Sequence, residues 1–277
     1  MDILNILIII GLFQFSLLDY EDDWRSYPTC KIGRLQSPIE IKEYESIYAN
    51  NFSFVYQSYK KGKMGEFSNN TYAYIRTISD GGYINFERGG VIKQYELIRA
   101  EIYPGIHYID GEKGDYELHL IHQKNLDFIT NKNQYRSIQD ANMYLVIVLR
   151  YFNCNDNNKK VCISDNGLLS KIKTGSGDIE LNNFNIFQDK RAFFYEGSFV
   201  HIPCDENVNY YVVKDFFFLN NLITESDIPL KSENIKPANK FGRPVYKNFM
   251  NYREVLGNNY FSFSKFFISF LLMIILL

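Results

Sequence analysis

The chain has 277 residues, 46% hydrophobic and 17% aromatic, with 22 Tyr and 23 Phe, which is enough apolar material for a sizeable core and excludes disorder for the body of the chain. Thirty basic residues against 32 acidic ones give a net charge of −2, so no global field draws in nucleic acid or an anionic membrane. Tyr, Phe and Ile suit pleated, half-buried surfaces, and the composition leans towards β structure.

In chain order, Ile3 to Leu18 is apolar apart from Asn5, Gln14 and Ser16. It is short for a bilayer span, which takes about 20 residues, and fits the hydrophobic part of a secretory signal peptide; a retained N-terminal helix is the alternative. Residues 19–251 read as one domain. Strands are expected at Asn51–Gln57, Ser68–Ile78, Gly82–Glu87, Tyr95–Tyr103 and Asp115–His122. Met143–Phe152 is a continuous apolar run, as in a strand buried on both faces. Phe193–Pro203 and Tyr210–Phe218 complete the strands, and the short helices are expected at Asn166–Lys173 and Glu225–Lys231. Residues 257–277 begin with Gly257, Asn258 and Asn259 and end in a tail from Phe261 that is apolar apart from Ser262, Ser264, Lys265 and Ser269. This resembles a glycolipid (GPI) attachment signal or a C-terminal transmembrane anchor. Both ends thus point to the secretory pathway, with the domain at the cell surface or on the lumenal side of a membrane. Asn51 and Asn69 begin glycosylation triplets.

Four cysteines, Cys30, Cys154, Cys162 and Cys204, suit two disulfides in an exported chain. Cys154 and Cys162 flank a polar loop and make a reasonable local bridge, which leaves Cys30 to Cys204.

Blocks along the chain carry a resemblance. Trp24, Tyr27-Pro28-Thr29-Cys30 and Gln36-Ser37-Pro38-Ile39-Glu40-Ile41 open it. Tyr95-Glu96-Leu97, Ile109-Asp110-Gly111 and Glu117-Leu118-His119-Leu120-Ile121-His122 continue it, and Tyr195-Glu196-Gly197-Ser198, Pro203-Cys204 and Arg243-Pro244 close it. In order and spacing they resemble the α-class carbonic anhydrases, most of all the members without catalysis. The resemblance implies a mostly β fold: a large central, mainly antiparallel sheet with few short peripheral helices. It also implies a Cys30–Cys204 disulfide.

The family's chemistry needs zinc on three histidines, which acidifies a bound water. By resemblance, His119 is the third ligand and Glu117 the acid that orients it. The His-x-His pair falls on Glu101 and Tyr103. The threonine that bonds the zinc-bound hydroxide falls on Val200, the next on His201, its orienting acid on Ile106 and the proton-shuttle histidine on Tyr72. His107 and His122 match structural positions. These readings imply no catalytic residues, no cofactor and no hydration activity. They leave a binding or structural module, anchored in a membrane through its C-terminal segment, whose partner is a protein or a glycan and not nucleic acid. A lumenal subunit of a membrane assembly is a further reading. The enzymatic alternative is a divergent carbonic anhydrase with zinc rebuilt on Glu101, His119 and His201.

Overall fold

The computed structural model describes residues 27–50, 52–69, 73–126, 142–152, 162–164, 167–175, 177–180, 190–218 and 243–250. The helix α1 (Pro28–Ile32) comes first, followed by β1 (Glu40–Ile41), a 3-10 turn at Glu43–Glu45 and β2 (Ile47–Tyr48). Then come β3 (Phe52–Tyr59), β4 (Lys61–Asn69), β5 (Tyr74–Ser79), β6 (Gly82–Arg88), β7 (Val91–Pro104), β8 (Tyr108–Ile109), β9 (Tyr116–Lys124), β10 (Tyr144–Phe152) and β11 (Cys162–Ser164). The helix α2 (Leu168–Thr174), β12 (Asp178–Glu180), β13 (Ala192–Gly197), β14 (Val208–Phe218) and β15 (Tyr246–Lys247) complete the elements.

One large sheet runs in the order β12-β4-β5-β7-β9-β10-β14-β13-β15-β2, with β3 and β6 hung from β7 and β11 from β14. Most neighbours are antiparallel; β10 with β14, β11 with β14, and β15 with β2 are parallel. The expected mostly β, mainly antiparallel architecture holds, as a mixed sheet with few short helices.

Alternation decides which side chains face what. On β7 and β9, Ala100, Ile102, Leu118 and Leu120 enter the larger core with Phe52, Phe86, Phe194 and Tyr211. The residues between them, Glu101, Tyr103, Glu117 and His119, share the opposite face. That face carries a second apolar layer of Ile121, Val146, Phe199 and Tyr210. Strand β10 is buried on both faces, Leu145 to Tyr151 being nearly inaccessible, as its unbroken apolar run predicts.

Two expected strands need correction. Ser68–Ile78 is not a single strand: it divides between the end of β4 and β5. β4 escapes a reading of apolar alternation because Lys61-Gly62-Lys63-Met64-Gly65 has low β propensity. It is held instead by pairing on both sides, to β5 and β12. Gly65 leaves room there, since an added Cβ would lie 2.3 Å from the Thr77 hydroxyl, and one at Gly62 would be tight, 3.0 Å from the Gly81 Cα. β7 is longer than expected, and β13 ends at Gly197, so that 198–203 is a connection rather than strand. The expected helix near Asn166–Lys173 is α2.

Cys30 and Cys204 are disulfide-bonded, closing a span of 174 residues. Cys154, Tyr72, residues 225–231 and both hydrophobic ends lie outside the described residues, and with them the Cys154–Cys162 pairing. Among the described residues no helix is long and apolar enough to cross a membrane.

Candidate functional site

The site is built where β7 meets β9. Their antiparallel register sets Glu101 opposite His119 and Tyr103 opposite Glu117. Two centres form on this face: the first is fully buried, and the second has a buried carboxylate with partly exposed partners, Arg99 at 26% and His201 at 15%.

Glu117 organises the first. Its Oε1 accepts from the backbone N–H of Ile106 at 3.0 Å and of His107 at 2.6 Å. Its Oε2 accepts from His107 Nδ1 at 2.7 Å and His119 Nε2 at 3.0 Å. An ionised carboxylate only accepts, so both ring nitrogens carry protons. His107 Nε2 pairs with the Tyr195 hydroxyl at 2.7 Å, accepting from it in the neutral ring and donating to it in the charged one. Burial opposes ionisation of Glu117, but the charge and hydrogen bond of His107, with those of His119, hold it far below the usual carboxylate range. Burial pushes the His119 pKa down, against the pull of Glu117.

Glu101 organises the second. The Tyr103 hydroxyl donates to its Oε2 at 2.6 Å, and Arg99 Nε stands 2.7 Å from Oε1 as an ion pair. His201 Nε2 lies 3.5 Å from Oε1 and 3.0 Å from Arg99 Nη2, while its Nδ1 donates to the Ile202 carbonyl at 3.0 Å. In the neutral ring Nε2 accepts from Arg99; protonated, it turns its proton to Glu101. Burial alone would raise the Glu101 pKa, but the hydrogen bond and charge of His201, then Arg99 and Tyr103, bring it down to about 2. His201 is pushed down by burial and, more strongly, up by Glu101, so its pKa is raised overall.

Around these charges the wall is apolar. Tyr103, Ile106 and Val200 pack with Ala73 into one buried cluster, Ile75 against it. Val200 and Ile106, where the resemblance places a hydroxyl and a carboxyl, thus contribute only hydrocarbon.

The sequence reading singled out Glu101, Glu117, His119 and His201, and the structure brings Glu101 and His201 together. It sets His119 against Glu117 instead, with the Tyr103 ring 4.7 Å from its own. Among the described residues, the ligand atoms that gather within 4.8 Å belong to His107, Glu117 and His119, and their nitrogens and oxygens already bond one another. The set Glu101, His119 and His201 is not gathered in that way. Arg99 was overlooked; its signal was its place two residues before Glu101, hence on the same strand face. His122 is remote from both centres: Nδ1 donates to the Leu145 carbonyl and Nε2 accepts from Tyr59.

These residues do not fit a three-imidazole metal site. At the three ligand positions one imidazole, His119, is present, and the facing strand offers a carboxylate already shared by Arg99 and Tyr103.

A large mixed sheet with a buried polar face, closed by a disulfide from the N-terminal helix, defines the class as carbonic-anhydrase-like. The family model for eukaryotic-type carbonic anhydrase matches residues 19–249, and the chain belongs to that family. It is 24% identical over 246 residues to carbonic anhydrase 1 of Oryctolagus cuniculus, covering 78% of this chain and 100% of that protein. It is 24% identical to carbonic anhydrase 6 of Mus musculus, over 86% of this chain and 81% of the relative. Dioscorin DB3L of Dioscorea polystachya is 24% identical over 69% of this chain and 64% of its own length. Among solved structures, dioscorin complexed with ascorbate shares the fold, with a TM-score of 0.56 at 17% identity over 82% of this chain and 92% of that one.

Proposed function

We propose that this chain is a divergent carbonic-anhydrase family member that has lost two of the three zinc-ligand histidines, does not hydrate carbon dioxide, and serves as a binding module on the outer or lumenal side of a membrane. The observation that carries this reading is the hydrogen bond from Tyr103 to Glu101. At the two positions where the resemblance calls for imidazoles, the side chains bond each other. A hydroxide at neutral pH needs a metal to acidify its water, and Val200 has no hydroxyl to orient one. What the scaffold retains is a rigid sheet able to present loops to a protein or glycan. The apolar segments 1–18 and 257–277, together with the Cys30–Cys204 disulfide, support the exported, membrane-attached placement.

The rival is a zinc enzyme rebuilt on Glu101, His119 and His201. One observation favours it: Glu101 and His201 already meet at 3.5 Å. It requires the Glu101 carboxylate to leave Arg99 and Tyr103 for a metal. Carbon dioxide hydration by the purified chain with zinc supplied, repeated on His119→Ala, separates the two. No turnover in either sample is expected; zinc-dependent turnover that the variant loses establishes the enzyme.

A further inference from the structure

Where a metal would draw side chains together, this chain carries Arg99, Glu101, Tyr103 and His201. We infer that these four form a metal-independent clamp, centred on the Glu101 carboxylate, that fastens the 198–204 connection to β7. The inference goes beyond the proposed function, because it concerns what holds the cleft and not what the module binds.

Topology makes such a clamp necessary. Glu101 lies on β7, and His201 lies on the connection between β13 and β14. Strands β9, β10 and β14 stand between β7 and β13 in the sheet, so no ladder hydrogen bond can join β7 to that connection. Side chains must do it. Glu101 supplies the acceptor: Oε2 takes the Tyr103 hydroxyl, and Oε1 faces both Arg99 and His201. His201 is anchored at its other nitrogen to the Ile202 carbonyl. Phe199 completes the joint, stacked on the His201 ring at 5.2 Å with the Arg99 guanidinium 5.2 Å from its centroid.

The carboxylate is the element that cannot be spared. Glu101 is 1% exposed and balances Arg99 and protonated His201, whose side chains are 26% and 15% exposed, so removing it leaves partly buried cations without their counter-charge, which is destabilising. Without Glu101, Arg99 keeps only a neutral His201 as acceptor at 3.0 Å, and a protonated His201 meets the guanidinium with no acid between them. The same connection ends in the Cys204 disulfide and carries Val200 into the apolar wall. Clamp, disulfide and wall therefore set one short segment from three directions.

The test is thermal unfolding of the full chain, purified with its disulfides intact, with zinc, with a chelator and with neither. The clamp requires the three wild-type melts to coincide. Glu101→Gln should lower Tm by roughly 10 °C, equally in all three buffers. His201→Asn should lower it less, and the double variant should lose less than the sum of the singles, because the second substitution removes a contact already broken. Should Glu101→Gln fail to fold, Arg99→Gln paired with His201→Asn gives the same cycle, and Tyr103→Phe removes one hydroxyl without altering shape. A wild-type melt that rises with zinc or falls with the chelator overturns the inference. So do additive losses in the cycle. Neither result depends on carbon dioxide hydration or on any binding partner, so failure of the clamp and failure of the proposed function remain distinguishable.

Discussion

Glu101 and His119 are cross-strand partners on β7 and β9, yet they serve different centres. Glu101 gathers Arg99, Tyr103 and His201, whereas His119 is turned to Glu117 on its own strand. The face thus keeps the support of one imidazole and has a charge cluster where its partners would stand.

That division predicts the outcome of restoring the missing pair. In Glu101→His/Tyr103→His, alternation on β7 places both new imidazoles on the face of His119, which Glu117 already orients. The double variant should bind about one equivalent of zinc through three histidines, measured by metal analysis after dialysis. It should still hydrate carbon dioxide poorly, because Val200 and Ile106 offer neither hydroxyl nor carboxyl.

Glu117 should be the least replaceable acid. All four of its contacts are donors, and the side chain is 0% exposed. Glu117→Gln puts an NH2 group against N–H groups and should cost about 3–5 kcal/mol, read by urea unfolding. Tyr103→Phe, which removes a single neutral donor, should cost about 1–2 kcal/mol.

Stability should fall in acid for two reasons. His122, buried between the Leu145 carbonyl and Tyr59, has its pKa lowered by burial to about 4 from 6.5. As pH falls below 6.5 the unfolded chain takes up a proton that the folded chain refuses until about 4, so stability drops across that window, by on the order of 3 kcal/mol. Glu101, depressed to about 2 from 4.5, contributes stability that is complete above 4.5 and is lost as pH falls towards 2. His201 acts in the opposite sense: with its pKa raised above 6.5, its contribution is complete below 6.5 and disappears as pH rises through the folded value. Urea midpoints at about pH 4, 5.5, 6.5 and 8 should therefore peak near the third. In His201→Asn the alkaline fall should shrink, the His122 part of the acid fall should remain, and the Glu101 part should lessen, because His201 is the first cause of its depression.

Reduction should destabilise the domain strongly. A bridge spanning 174 residues removes much loop freedom from the unfolded chain, about 4–5 kcal/mol in the chain-entropy treatment. Cys204→Ser should show a loss of that size in urea unfolding. Because Cys204 and His201 share one connection, His201→Asn should cost less in that background than in the wild type.

The fold was legible through resemblance, since blocks such as Glu117 to His122 stand in the order and spacing of the α-class carbonic anhydrases, while the apolar run at Met143–Phe152 marks by itself a strand buried on both faces. β4 was illegible, since glycines and lysines hold that strand only through neighbours far along the chain. In the site, Glu101, Glu117, His119 and His201 were recognisable one by one. Their division into two centres was not, because it depends on which carboxylate each ring turns to. Arg99 was hidden for the same reason: a cation on a strand looks solvated until the sheet shows it beside a buried acid.

The metal content of the purified full chain tests the central claim most directly. After mild dialysis, less than about a tenth of an equivalent of zinc is expected, since a carboxylate committed to Arg99 and Tyr103 leaves His119 without ligating neighbours. About one equivalent of zinc, retained through dialysis and lost in His119→Ala, would contradict it.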